Sequence, residues 1–415
     1  MTLLKKSINI VKDVWVILGI TIFLLLAMET GLSLYFYLKK SWVPPGQIED
    51  YRVKADTYPK VSWVDAYFRE NAQSNNLKWE SYLYWRRLPY RGDYVNVDPE
   101  GIRRSYKDSV REKANPAAKV FFFGGSTIWG VGARDDFTIP SIFVKEAKIR
   151  GVNCEAVNFG EVAYVSTQEV LQLMIQLQKG NIPDTVIFYD GFNDTFSAFQ
   201  QRVAGLPHNE FNREIEFNLL HWRKREKLRT LAVQDAIKQL TIVQSFLSLS
   251  RKLGLKSQRV PFRPLEYKNP VLDKGVLIRE LAERYIGNIK LAQALSKYYG
   301  FKCLFYWQPM LFQKQHLTEY EREASDVRNV EIDAPNYAGM REFYLETYAY
   351  MKEYTAGLKD DFIFHDISSI FREAREPLYI DVVHLGENGN GLIARRMVED
   401  FIRLMNKSGK ADEKR

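Results

Sequence analysis

One serine, one histidine and one aspartate have the types and local spacing that acyl chemistry needs. Ser126 ends the stretch Gly124-Gly125-Ser126, directly after the strand-like run Val120 to Phe123. A serine hydroxyl is a poor nucleophile at neutral pH, and an imidazole with an ordinary pKa of about 6.5 suits the task of taking its proton. His384 is the candidate base. Asp381, three residues earlier, can turn back to the other ring nitrogen, fix the tautomer and stabilise the imidazolium. A spacing this short requires a loop or a first helical turn, and "YIDVVHLGENGNG", rich in Gly and Asn, provides one. Ser126 also has a plainer reading, since serine is among the commonest helix N-caps. Two more stretches, Asn158-Phe159-Gly160 and Gly191-Phe192-Asn193-Asp194, stand at the ends of apolar runs.

The elements that must position these residues alternate. From Lys119, "VFFFG" reads as a strand and Ile139–Ile149 as a helix, followed by a strand over Glu155–Gly160. In "STQEVLQLMIQLQKG", Ser166 and Glu169 carry a capping-box signature and Gly180 a stop. The strand "DTVIFYDG" follows; the helix Gly275–Tyr299, the strand "FKCLFYWQP", the helix Gly339–Leu358, the strand "FIFHDIS" and a last helix from about Gly389 to Met405 complete the pattern. Such alternation predicts a three-layer α/β/α domain on a central parallel sheet, whose active site lies at the C-terminal strand ends.

In this order the four stretches resemble those of the SGNH hydrolases, the GDSL-like family, over roughly residues 119–405. The resemblance implies a flavodoxin-like α/β/α fold, ester hydrolysis through a serine, and signature residues Ser126, Gly160, Asn193 and His384. It assigns the oxyanion donors to the backbone N–H groups of Ser126 and Gly160 and to the Asn193 amide. Glycine at 160 is expected to let the backbone approach the substrate. The family's usual Gly-Asp-Ser is here Gly-Gly-Ser. That variant resembles anchored members linked to acylation of cell-surface polymers, including alginate acetylation and teichoic-acid alanylation. A deacetylase or esterase, an O-acyltransferase, a lipid esterase or thioesterase, and a non-catalytic glycan-binding accessory protein are the functions in play. The substrate expected is an acylated carbohydrate or other ester, with no cofactor and no metal. Asp190, Asp194, His365 and Asp366 read as structural.

Outside this domain, residues 14–38 are apolar except for Glu29 and predict a transmembrane anchor after a short cytoplasmic segment, 1–13. Pro44 and Pro45 follow in place of a small-residue cleavage site, favouring an uncleaved anchor over a signal peptide. Lys5, Lys6 and Lys12 precede the span and Lys39 and Lys40 follow it, a bias toward an extracytoplasmic C-terminal part, in periplasm or at the cell surface. Glu29 either contacts a membrane partner or snorkels to the interface. Residues 39–118 form an aromatic and basic stem; in "YLYWRRLPYRGDY" the rings and arginines either stack on sugars or pack on the next domain. An insertion, 195–273, is a solvated helical cap or a basic surface patch, and 406–415 is a polar tail expected to be disordered. The net charge of +8 comes without a nucleic-acid-binding motif. Cys154 and Cys303 lie in predicted core strands and are expected as buried thiols.

Overall fold

The computed structural model describes residues 2–42, 50–58, 61–107, 117–220, 237, 240–245, 273–325, 339–357 and 364–412. They belong to two compact units, one of residues 1–49 with 211–268, the other of residues 50–210 with 269–415.

The first unit contains α1 (Thr2–Trp42). Its stretch Lys12–Phe36 is 25 residues long with a mean hydropathy of 2.1, long and apolar enough to cross a membrane. At 1.5 Å per residue it reaches about 37 Å, against a hydrocarbon thickness of about 30 Å. Glu29 interrupts this apolar surface, and its carboxylate accepts the backbone N–H groups of Thr241 and Ile242 at 2.6 and 2.9 Å. The Ser33 and Thr241 hydroxyls lie 2.7 Å apart beside it. The chain's own insertion therefore engages this carboxylate. The insertion's basic clusters, 221–229 and 251–263, lie outside the described residues.

In the second unit, runs of β-branched and aromatic residues that are apolar at every position become central strands, because helices cover both faces and leave no polar side. Before them come α2 (Trp63–Gln73), the hairpin β1 (Leu77–Glu80) and β2 (Tyr84–Arg87), and the short pair β3 (Tyr90–Arg91) and β4 (Asn96–Val97). Then follow β5 (Ala118–Gly124), α3 (Ser126–Trp129), α4 (Ile139–Ile149), β6 (Cys154–Asn158), α5 (Ser166–Gln178), β7 (Thr185–Asp190) and α6 (Phe192–Gln201). The remainder is α7 (Lys274–Tyr299), β8 (Lys302–Trp307), α8 (Glu319–Ala324), α9 (Met340–Ala356), β9 (Phe364–Asp366) and α10 (Glu387–Asp412). Strands β6-β5-β7-β8-β9 form one parallel sheet in that order. The α/β/α architecture is thus present.

Strand alternation divides the core. Phe121, Phe123, Val186, Phe188, Cys303 and Phe305 face α5, α6, α7 and α9, whereas Val120, Phe122, Ile187 and Leu304 face α4 and α10. On the first face, register aligns Phe123 with Phe188 and Phe188 with Phe305. With Phe159 they form a row of stacked rings at 5.1, 5.3 and 5.1 Å. Cys154 and Cys303 are free and buried on strands separated by two others; burial pushes both thiols up to about 12.

Two local expectations change. Ser166 is the first residue of α5 rather than its cap, and its N–H and hydroxyl both go to Asp194; Gln168 instead reaches back to the Val165 N–H. Glu169 turns inward, where burial outweighs capping. Helix α10 continues to Asp412, into the segment expected as a tail.

The phenylalanine row sets an expected cost. Phe188→Ala should destabilise the second unit by about 3–5 kcal/mol, the usual range for deleting a fully buried ring, read as a lower urea midpoint with an unchanged slope.

Candidate active site

Strand β5 delivers its last residue, Gly124, to a turn in which Gly125 caps the one-turn helix α3 and Ser126 is its first residue. Ser126 is buried but not sealed, with 8% exposure. From 258 residues further on, His384 Nε2 stands 2.7 Å from Ser126 Oγ. His384 Nδ1 donates to Asp381 Oδ2, also at 2.7 Å. The loop carrying both is tight: Ile380 N–H donates to the His384 carbonyl and Gly386 N–H to the Leu378 carbonyl. Asp381 Oδ1 accepts the N–H groups of Val383 and His384 at 3.0 and 2.7 Å. Burial opposes charge on this carboxyl, but the His384 ring and its hydrogen bonds, together with Arg52 at 3.6 Å, outweigh it and hold the group well below the ordinary carboxylate range. Asp381 is thus a permanent anion at neutral pH, suited to orient the ring.

The three residues expected as oxyanion donors converge only in part. Asn193, at the start of α6, donates one amide hydrogen to the Tyr164 carbonyl at 2.8 Å; an amide nitrogen has a second to offer. Its Nδ2 lies over Gly125, where a Cβ would stand 2.1 Å away. Only glycine leaves that amide in place, which accounts for Gly-Gly-Ser where the resemblance leads one to expect aspartate. Gly160 has its own engagement. Its N–H is given to Asn158 Oδ1 at 3.0 Å, and a Cβ at 160 would meet the Trp129 nitrogen at 2.5 Å. Glycine is required there for close packing against α3.

Several residues outside the expected catalytic and oxyanion set hold this geometry. Asn158 also donates to the Ile128 carbonyl at 2.9 Å, tying β6 to the helix that carries Ser126. Arg103, 1% exposed, donates to the carbonyls of Trp129, Gly130 and Ala133 and pairs with Asp135 at 3.0 Å. Arg87 pairs with the fully buried Glu161, next to Gly160, and its guanidinium lies 3.7 Å over the Trp129 ring. Arg134 forms a two-pronged pair with Glu387, at 2.8 Å on each side, fixing the helix after the His384 loop to the loop after α3. Arg52, Arg87 and Arg103 all come from the segment expected as a stem, and the arginines set among aromatics in "YWRR" and "GIRR" were its signal.

Beneath Asn193 lies a group of buried carboxyls. Asp194 accepts from the Ser166 hydroxyl at 2.6 Å and Asp190 from the Tyr285 hydroxyl at 3.3 Å. Burial, and then the nearby carboxylates, push Glu169 far up; burial raises Asp190 and Asp194 as well. Asp366 caps the Ser368 N–H, and His365 stacks on Tyr306. Among the described residues, no group of three or more His, Cys, Asp or Glu side chains could hold a metal ion.

No family model matches the sequence. No curated protein matches it. Among solved structures, the chain is similar to a lipolytic G-D-S-L family protein from Veillonella parvula, at 14% identity and a TM-score of 0.35, over 69% of this chain and 100% of that one. It is also similar to a catalytic mutant of an acetylxylan esterase from Geobacillus stearothermophilus, at 13% identity and a TM-score of 0.35, over 69% and 95%. A further similarity is to a putative lipolytic G-D-S-L protein from Desulfitobacterium hafniense, at 10% identity and a TM-score of 0.35, over 68% and 98%.

Two outcomes follow from this geometry. Gly125→Ala forces the Asn193 amide off the Tyr164 carbonyl without moving backbone, so it should cost only one hydrogen bond of stability, about 1 kcal/mol, read as a small fall in melting temperature. It should lower kcat on an aryl ester by about 10²–10³, the usual cost of one oxyanion donor. For the buried carboxyls, the folded chain binds protons more tightly than the unfolded one, so their contribution to stability is intact at low pH and is lost as pH rises above about 4. Asp190→Asn should therefore gain stability relative to the parent at pH 8 and gain little at pH 4, measured as the difference in melting temperature.

Proposed function

We propose that this chain is a membrane-anchored serine esterase of the SGNH type that removes O-acyl groups, acetyl above all, from a surface polysaccharide or exopolysaccharide. The observation that carries the reading is the unbroken chain of 2.7 Å hydrogen bonds from Ser126 through His384 to an ionised Asp381.

In this reading Ser126 Oγ attacks the ester carbonyl carbon while its proton passes to His384 Nε2. Charge grows on the carbonyl oxygen, to which the Ser126 N–H and the second Asn193 amide hydrogen donate in this reading; the Gly160 N–H is already given to Asn158 Oδ1 and joins them only by being shared. The C–O bond to the sugar then breaks, and the leaving hydroxyl takes the proton from His384. Water, giving a proton to the same ring, attacks the acyl carbon; the Ser126 C–O bond then breaks as the ring returns that proton to Ser126 Oγ, and the carboxylic acid leaves. A sugar hydroxyl in place of water makes the same site an O-acyltransferase. The apolar length of α1 supports an anchor, and the lysine bias around it supports an extracytoplasmic catalytic unit.

Purified full-length protein in detergent, given acetylated polysaccharides and an aryl acetate with and without an added sugar acceptor, tests the reading. Release of acetate is expected, abolished by Ser126→Ala and reduced comparably by His384→Ala, with little further loss in the double variant because the two act as one unit. Full acetate release by Ser126→Ala contradicts the proposal, and acetyl transfer without release assigns the transferase reaction.

A further inference from the structure

The parallel sheet has an unfinished edge. Strand β6 is outermost on its side, and the segment 102–105 meets it at a single bridge, Arg103 opposite Asn158. On its other flank the segment is tied to β4: Arg104 N–H donates to the Asn96 carbonyl at 2.9 Å and Asp98 N–H to the Ile102 carbonyl at 3.0 Å. Past Ser105 the chain turns aside, because Tyr106 N–H goes to the Ser141 hydroxyl on α4 at 2.9 Å. Here a cavity of about 420 Å³ opens, lined by this segment, by the β3–β4 pair and by Ala156 and Val157 of β6. Cavities of that size hold small organic molecules.

We propose that the cavity is a binding site for a small organic anion, a carboxylate or phosphate carried on an apolar body. Four lining side chains are cationic, Arg91, Arg103, Arg104 and Lys107, and one, Asp98, is acidic. Asp98 is already committed, its Oδ1 accepting the N–H groups of Glu100 and Ile102, each at 2.9 Å. Arg103 is committed to Asp135 and to the carbonyls around α3. Arg104 reaches Asp136 at 3.5 Å with both side chains largely in solvent, an arrangement that contributes little. Arg91 and Lys107 pair with no carboxylate among the described residues. Positive charge is therefore left over, and the exposure of Arg91, Arg104 and Lys107 puts it at the mouth.

Farther in, the lining changes. Ile102 and Val157 are half-buried and Ala156 is buried, so the walls are apolar. Ser105 is 5% exposed, and its hydroxyl has no hydrogen-bond partner among the described residues. An unpaired buried hydroxyl is unfavourable, and a ligand oxygen satisfies it. Bare phosphate would leave the apolar walls uncovered, and a neutral ligand would leave the cations unanswered. A peptide strand added to β6 is disfavoured, since Arg103 closes the edge at Asn158 and the open stretch before it is shorter than an ordinary strand of about 5–6 residues. Arg103 and Asn158 also hold α3 in place, so the test leaves both untouched.

The full-length chain in detergent is titrated calorimetrically with phenyl phosphate and with phenylbutyrate, beside neutral phenylbutanol and inorganic phosphate. At least one aromatic anion is expected to bind about tenfold more tightly than either companion, a difference of 1.4 kcal/mol. Replacing Arg91→Gln and Lys107→Gln together should weaken that anion about tenfold, leave phenylbutanol unaffected and leave the melting temperature unchanged, because both side chains are exposed. Ser105→Ala should also weaken the anion without lowering the melting temperature, since it deletes a hydroxyl that has no partner. Failure of both aromatic anions to bind overturns the inference. So does binding that phenylbutanol or inorganic phosphate equals, or binding indifferent to both sets of changes. The assay does not depend on ester hydrolysis, so anion binding as expected by a chain that releases no acetate leaves the site standing.

Discussion

A carboxylate that stays ionised while buried is the constraint on which this site depends. Asp381 can do so only because two backbone N–H groups, one imidazole N–H and a nearby guanidinium converge on it. Each of those partners is fixed by something else. The tight loop 378–386 supplies the N–H groups, the Arg134–Glu387 pair sets the helix beyond it, and Arg52 is itself held in a two-pronged pair with Asp50. Remove the charge and the ring loses its tautomer; remove the ring and an unpaired buried anion remains, a state that burial penalises heavily.

The sheet makes this convergence possible by giving distant segments a common edge. Strands β5, β6 and β7 end in Gly124, Asn158 and Asp190, and the residues just after them carry the serine, the close-packed glycine and the amide. Parallel pairing brings all three ends to one side, and the stacked phenylalanines lock the register that sets their relative height. Buried arginines do the finer positioning. Arg103 and Arg87 come from the N-terminal segment, satisfy carbonyls and carboxylates around α3, and flank the Trp129 ring. Such charges are costly unless every donor is matched, so they also fix one conformation.

How much of this was legible follows from which forces act locally. Apolar runs and glycine stops revealed the strands and most helices, because burial and left-handed turns are written in adjacent residues. Ser126, Asp381 and His384 were visible as types in motifs. The engagement of the Gly160 N–H by Asn158 was not, although both residues stand in one stretch, because a side chain folding back onto a backbone N–H two residues on leaves no mark in composition. Ser166 and Glu169 mimicked a capping box, and a long-range partner, Asp194, took the serine instead. The stem arginines read as either stacking on sugars or packing on the next domain, and it is their burial, decided by partners as far as 74 positions away, that makes them internal struts.

The central claim is that Ser126 is a nucleophile activated by His384. Intact-mass measurement of the full-length protein after exposure to a fluorophosphonate tests it most directly. One phosphonyl adduct on the peptide containing Ser126, slowed strongly by His384→Ala and absent in Ser126→Ala, is the expected result. No adduct at Ser126, or labelling there at the same rate without the imidazole, would contradict it.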